Sequence, residues 1–170
     1  MTIVTIRKAL ESDASEIARI HVESWKGAYK GLMPDDVLDA LNVSSKTEAW
    51  KSLLTNPENH SYVAEVNSST AGFASLCACR DPDKNSITVG EIAAIYVHPS
   101  NWRLGYGSRL IAKAFEFFRG FGNSEIILWV LEGNRMARDF YEKHGFLVDG
   151  ESKTHPKSGL VEIRYATHIK

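Results

Sequence analysis

The stretch NWRLGYGSRL, residues 101–110, sets two glycines, Gly105 and Gly107, just after Arg103 and at the opening of an amphipathic segment. These residue types suit the binding of an anion. Glycine lets the main chain approach a ligand with no Cβ in the way. The N–H groups of a helix's first turn have no intrahelical partner and point along the axis. An anion there gains about 0.3–1 kcal/mol from the helix dipole at an exposed site, beyond the hydrogen bonds themselves. Arg103 adds a formal charge. A tight turn followed by a surface arginine has the same local pattern, so the loop alone leaves both readings open. Two familiar phosphate loops are excluded. The third glycine of a dinucleotide-binding G-x-G-x-x-G falls on Leu110, and the G-x-x-x-x-G-K-[ST] loop is absent.

The elements that position this loop follow from hydrophobic periodicity. Residues 3–7 form a short strand, and Ser12–Asp13 can cap the helix after it, in which Ile17, Ile20, His21, Ser24, Trp25 and Ala28 recur at helical spacing. A second short helix starts at Pro34 and a third runs from about Ser44 to Leu54. HSYVAEV, TAGFASLCAC and SITVGEIAAIYV then read as an antiparallel meander. Gly105–Phe118 is a helix with Ile111, Ala114, Phe115 and Phe118 on one face and Arg109, Lys113 and Glu116 on the other. SEIILWVL is apolar on both faces, as a central strand is. NRMARDFYEKHG is a helix closed by Gly145, and FLVDGE and LVEIRYATHI are a last pair of strands. The order β-α-α-α-β-β-β-α-β-α-β-β implies a mixed α/β fold of about seven strands with at least one parallel crossover.

Composition narrows the classes of partner. The 170 residues suit a single domain spanning 1–170, with 20 basic against 21 acidic side chains and a net charge of −1. No global basic field points to nucleic acid, and no polybasic segment points to a membrane surface. The opening MTIVTIRKALESD lacks a signal-peptide core and no apolar run approaches a membrane span, so the expected location is cytoplasmic. Cys77 and Cys79 share a strand face as small hydrophobes, and the six histidines show no metal-ligand spacing, so no metal is expected.

Three segments at informative distances complete the pattern: GEIAAIYVHP, then R-x-G-x-G-S-R-L, then N-x-x-A-x-x-F-Y-E-K-x-G-F. Over about residues 89–150 this set closely resembles the GCN5-related N-acetyltransferase (GNAT) superfamily, and HVESWKGAYKGLMPDDVLDAL resembles one bacterial subgroup of it. The resemblance implies acetyl transfer from acetyl-CoA to an amine of a small molecule or peptide. It also implies a twisted sheet splayed between the fourth and fifth strands. Pantetheine would pair with the backbone of Ile95, Tyr96 and Val97, and pyrophosphate would lie on the N–H groups of Arg103, Leu104, Gly105, Tyr106, Gly107 and Ser108. Trp102 departs from the family, which more often carries Gln or Arg at that position; the cradle survives because its contacts are mainly backbone.

The resemblance also assigns chemistry. Glu91 precedes Trp102 by eleven positions, the separation at which histone-acetylating members place their glutamate base. It is the candidate base, with a solvated carboxylate as the competing reading and His21, Glu23 and His98 as weaker alternatives. A backbone N–H freed by a bulge near Ala94–Tyr96 would serve the oxygen of the tetrahedral intermediate. Tyr141 matches the family's tyrosine acid, which protonates the departing thiolate. Asn134 either touches pantetheine, caps its helix, or does both, with Ala137 beside it. Trp25 and Tyr29 are candidate walls of the acceptor pocket. A CoA-binding module without turnover, or a relative using a longer acyl-CoA, carries the same motifs. The late segment SKTHPKSGLVEIRY is expected to form a hairpin over the site or the edge of a homodimer.

Overall fold

The computed structural model describes residues 3–170. Its strands are β1 (Val4–Lys8), β2 (His60–Val66), β3 (Ser69–Ala78), β4 (Val89–Val97), β5 (Glu125–Leu131), β6 (Leu147–Thr154) and β7 (Val161–His168). Its α-helices are α1 (Ala14–Tyr29), α2 (Asp35–Asp39), α3 (Val43–Thr55), α4 (Tyr106–Gly120) and α5 (Arg135–Lys143). The seven strands form one sheet in the order β1-β2-β3-β4-β5-β7-β6, antiparallel except between β4 and β5. A parallel neighbour needs a crossover, and α4 supplies it.

The parallel pairing is short: only Val89–Glu91 lie against Glu125–Ile127, and beyond Glu91 the two strands part. A bulge in β4 accompanies the parting. Ser75 faces Ala94 and Leu76 faces Ile92, which leaves Ala93 without a partner on β3. The sequence places the bulge near Ala94–Tyr96; the structure puts its extra residue at Ala93. One unpaired residue inverts side-chain parity along a strand. Before it, Ile92 packs on the α4 side and Gly90 lies under the Phe118 ring, where a Cβ would stand 2.2 Å from a ring carbon. After it, Ile95 and Val97 pack with α4, while Ala94 and Tyr96 turn to α1.

Each face has its own core. Leu110, Ile111, Ala114 and Phe118 of α4 bury against Leu76, Ile126, Leu128 and Tyr165. Opposite them, Ile17 and Ile20 of α1 and Trp50 of α3 bury against Val63 and Phe73. Each such side chain, fully removed from water, contributes about 1.5–3 kcal/mol. A third cluster joins Tyr29, Met33 and Leu38 to Leu131 at the end of β5.

Two local expectations change. Asp13 stands at the start of α1 but its carboxylate makes no helix cap. Instead it accepts from Leu10 N–H at 2.7 Å and from both terminal nitrogens of Arg7, whose guanidinium holds Asp13 below the usual carboxylate range. The turn of Asn85–Thr88 delays the start of β4 to Val89, three residues later than SITVGEIAAIYV suggests. Cys79 is buried and Cys77 half-buried, both free thiols; burial pushes Cys77 up to about 11.

Candidate active site

The gap between β4 and β5 is a cleft of about 770 Å³. Its backbone groups follow from register. His98 N–H donates to Ala71, so Tyr96 and Ala94 turn their main-chain groups to β3, whereas Ile95 and Val97 turn theirs to the open side. Val97 C=O is already occupied: it accepts from Ser24 Oγ at 3.0 Å and Trp102 Nε1 at 2.7 Å. The main-chain groups left for a ligand are therefore the N–H and C=O of Ile95 and the N–H of Val97. Tyr96 enters the cleft by its side chain and not by its backbone.

Trp102 has a structural task at the position where the family more often carries Gln or Arg. Besides bonding Val97, its ring packs on Gly27 of α1, where an added Cβ would meet it at 3.2 Å. Arg103 follows with φ 62° and Gly105 with φ 84°, the left-handed conformation that costs glycine least. These two turns aim the chain into α4. Among the described residues the N–H groups of Arg103–Ser108 have no hydrogen-bond partner; intrahelical bonding starts with Arg109 N–H to Gly105 C=O at 3.2 Å. Arg103, Gly105, Tyr106, Gly107 and Ser108 line the cleft at this point; Leu104 does not, and its side chain is turned to solvent. The loop is braced from α5. His144 Nδ1–H donates to Phe140 C=O at 2.8 Å, so its Nε2 accepts from Ser108 Oγ–H at 3.0 Å.

Tyr141 lies midway along the cleft, 8% exposed, and burial with the nearby Tyr96 raises its phenol well above the ordinary value. Asn134 caps α5 by accepting from Ala137 N–H at 3.2 Å and also lines the cleft, as Ala137 does. Tyr29 is raised likewise, by burial first and then by the Tyr96 and Tyr141 phenols. Three phenols thus meet at the cleft's centre, all protonated across any working pH.

Beyond them, His21, Trp25, Tyr29 and Tyr96 form an aromatic wall, with His21 stacked on Tyr96 at 5.1 Å. The His155 ring of the β6–β7 hairpin reaches to 5.8 Å from Trp25, so the late segment folds over this half of the cleft. Trp25 Nε1–H is buried and has no hydrogen-bond partner among the described residues.

Glu91, 3% exposed, sits where β4 and β5 part. Its Oε2 accepts from Arg80 N–H and Nε, each at 3.1 Å, and its Oε1 from Arg80 Nη2 at 2.6 Å. Oε1 accepts that one bond and keeps a second lone pair for a proton, beside an Arg80 side chain that is 65% exposed. The weaker base candidates fare differently. Glu23 and His98 bond each other outside the cleft, and His98 Nδ1 accepts from Ser100 N–H. His21 does line the cleft, but its Nδ1 accepts from Trp50 Nε1 at 3.1 Å, which leaves the proton on Nε2. No lone pair of His21 is free to accept a second proton, and burial, aided by Lys46, pushes its pKa down to about 3.

Arg80, Trp129, His155 and Glu162 also line the cleft and carry no local sequence signal. Arg80 was within reach of pattern reasoning, because the β3–β4 hairpin pairs Cys77 with Glu91 and carries Arg80 past it. Trp129 and Glu162 depend on which face of β5 and β7 the sheet leaves open.

The sequence profile of the acetyltransferase (GNAT) family matches residues 15–146. Over 132 residues the chain is 34% identical to the uncharacterized N-acetyltransferase YuaI of Bacillus subtilis, covering 78% of this chain and 74% of that one. Its fold is similar to that of the PaiA N-acetyltransferase from Thermoplasma acidophilum, solved in complex with coenzyme A, with a TM-score of 0.78 over 98% of this chain and 99% of that one at 21% identity. It is similar also to YncA of Salmonella typhimurium, solved with its cofactor acetyl-CoA, with a TM-score of 0.73 over 99% and 95% of the two chains at 18% identity. A helix-flanked mixed sheet opened between β4 and β5 is the architecture it shares with those two structures. This chain belongs to the acetyltransferase (GNAT) family.

Proposed function

We propose that this protein transfers an acetyl group from acetyl-CoA to a primary amine of a small molecule or peptide. The observation that carries the reading is the run of six unpartnered N–H groups at Arg103–Ser108. A pyrophosphate would accept from them, with the pantetheine arm in the cleft of about 770 Å³. Bound there, acetyl-CoA would supply the thioester and its electrophilic carbonyl.

The residues then divide the work. Ile95 N–H, the one cleft-facing donor in Ala94–Tyr96, lies beside the bulge and is placed to meet the developing oxyanion. Tyr141 donates its hydroxyl proton toward the departing sulfur. An aliphatic amine with a pKa of about 10.4 is less than ~0.1% deprotonated at pH 7, so a proton must be removed. Glu91 is the assigned acceptor, directly or through water, at the lone pair of Oε1 that Arg80 leaves open. The competing reading, a CoA-binding module without turnover, draws on that Arg80–Glu91 pair, which engages both carboxylate oxygens.

Thiol release from acetyl-CoA across a panel of amines, with the product read by mass, separates the two. Turnover with at least one amine is expected, and Tyr141→Phe should lower kcat by about 10²-fold or more, the usual scale of a positioned acid. Wild-type kcat in Tyr141→Phe removes it as acid. CoA binding with no turnover on any amine selects the sensor reading.

A further inference from the structure

Three carboxylates line the cleft: Glu91, Asp139 and Glu162. Glu91 is held by Arg80 through both oxygens. Asp139 pairs with Arg135 at 3.0 Å on the exposed flank of α5, its side chain 59% exposed. Glu162 differs from both. Its side chain is only 17% exposed, yet among the described residues it makes no hydrogen bond, and its nearest cation is Lys153 Nζ at 4.0 Å. That ammonium lies over the Trp129 ring, 4.1 Å from its centroid. A carboxylate largely removed from water and left without a donor is costly unless something fills its open side. Its oxygens are not sealed in: Trp25 Nε1 is the buried side-chain polar atom left without a partner, so those of Glu162 open to the cleft.

The surroundings indicate what fits. Glu162 stands opposite Leu131 on β5, which packs with Tyr29 and Met33, and its charge reaches the Tyr96 phenol. Trp25 and His155 face one another at 5.8 Å on the same side of the cleft. A cation between a carboxylate and aromatic faces gains from both. Lys153 leaves little room for a second positive charge beside it, which favours one ammonium on an apolar skeleton over a polyamine.

Building on the acetyl-CoA reading, we propose that Glu162 is the residue that binds the acceptor's ammonium group, and that the acceptor is a monoamine with an aromatic or apolar skeleton lying against Trp25, Tyr29 and Tyr96. Glu162 determines specificity; it stands opposite Leu131 and Glu91 opposite Ile127, four positions apart on β5, so the proton reaches Glu91 through a chain of waters in the cleft. The skeleton approaches along the aromatic wall and presents its nitrogen from the side opposite the pyrophosphate cradle.

The test uses the full chain loaded with CoA or acetyl-CoA and 2-phenylethylamine as probe, with 2-phenylethanol as its uncharged counterpart. Glu162→Gln, which keeps the side chain's shape and removes its charge, should raise the KM for 2-phenylethylamine at least tenfold. The KM for acetyl-CoA should be unchanged, and kcat should change less than KM. Saturation-transfer magnetic resonance on the CoA-loaded protein gives a reading independent of turnover. Binding of the amine but not the alcohol, weakened at least tenfold in Glu162→Gln, supports the assignment. An unchanged KM, equal binding of amine and alcohol, equal binding by wild type and variant, or no amine binding at millimolar concentration overturns it. The two readings fail separately. If the protein does not bind CoA in calorimetry, the acetyl-CoA reading falls and takes this one with it. Intact CoA binding with no effect of Glu162→Gln removes only the assignment of Glu162.

Discussion

His21 illustrates how a residue's type and its task separate. A histidine on the inner face of a helix that walls the acceptor side has the chemistry of a base, yet Trp50 Nε1–H occupies its free lone pair and Tyr96 covers its ring. Its pKa of about 3 lies below the 6.5 of an unfolded chain. Between those values the unfolded state binds a proton that the native state refuses, so stability is complete above about pH 6.5 and falls as pH drops toward 3. At 1.36 kcal/mol per unit, the loss from this group by pH 5 is about 2 kcal/mol. Urea denaturation at pH 7 and pH 5 should show that loss in wild type and a flatter dependence in His21→Gln, whose overall stability is lower. Equal slopes in the two proteins would mean that His21 is not held neutral by burial. Tyr141 and Asn134 were singled out by the resemblance of N-x-x-A-x-x-F-Y, and the structure puts both on the cleft, Tyr141 on α5 and Asn134 as its N-cap. His21's tautomer depends on Trp50, 29 positions away, and no local pattern carries that.

At the scale of elements, the cradle is the N-terminus of α4 together with the left-handed residues that lead into it. Its donors are main-chain groups, so the side chains there are replaceable so long as they add no competing charge. Ser108→Asp separates the two properties. A carboxylate in the first turn favours the helix by about 0.3–1 kcal/mol, which offsets the lost Ser108–His144 hydrogen bond, so the melting temperature should change little. The same charge lies where the pyrophosphate would sit, and affinity for CoA in calorimetry should fall at least tenfold. If CoA binds Ser108→Asp as tightly as wild type, its phosphates lie elsewhere. The order of elements could be read from hydrophobic period and from the glycines that end helices, and it matches the structure throughout. The site of the bulge could not: Ala93 has nothing in its type to mark it, and the parity of β4 is settled by Phe118 over Gly90 on one side and α1 over Tyr96 on the other.

For the whole molecule, the consequential feature is that β4 and β5 share only three residue pairs before they part. The sheet's two halves, β1–β4 and β5-β7-β6, are joined there by α4 and by little main-chain bonding. A ligand lying between them, bonded to Ile95 on one side and packed on α5 on the other, would tie the halves together. Mass action then stabilises the folded state by about 2.7 kcal/mol at a CoA concentration one hundred times Kd. For a chain of this size that raises Tm by roughly 5–10 °C. Scanning calorimetry with and without CoA measures the shift, and a Tm that ignores CoA would exclude binding in the cleft.

Periodicity and short motifs, which act over a few turns of helix or one hairpin, sufficed to establish from the sequence the kinds and order of the elements, while the open pair of strands and the anion-binding reading of NWRLGYGSRL came from the family resemblance. The roles of charged groups within the cleft belong to the tertiary structure. Whether a carboxylate is engaged or open depends on which cations the fold brings beside it. Arg80 reaches Glu91 because a hairpin folds back, and Glu162 faces the cleft because β7 inserts between β5 and β6. Electrostatic partnership is set by distance in space, and distance in space is what a linear sequence does not carry.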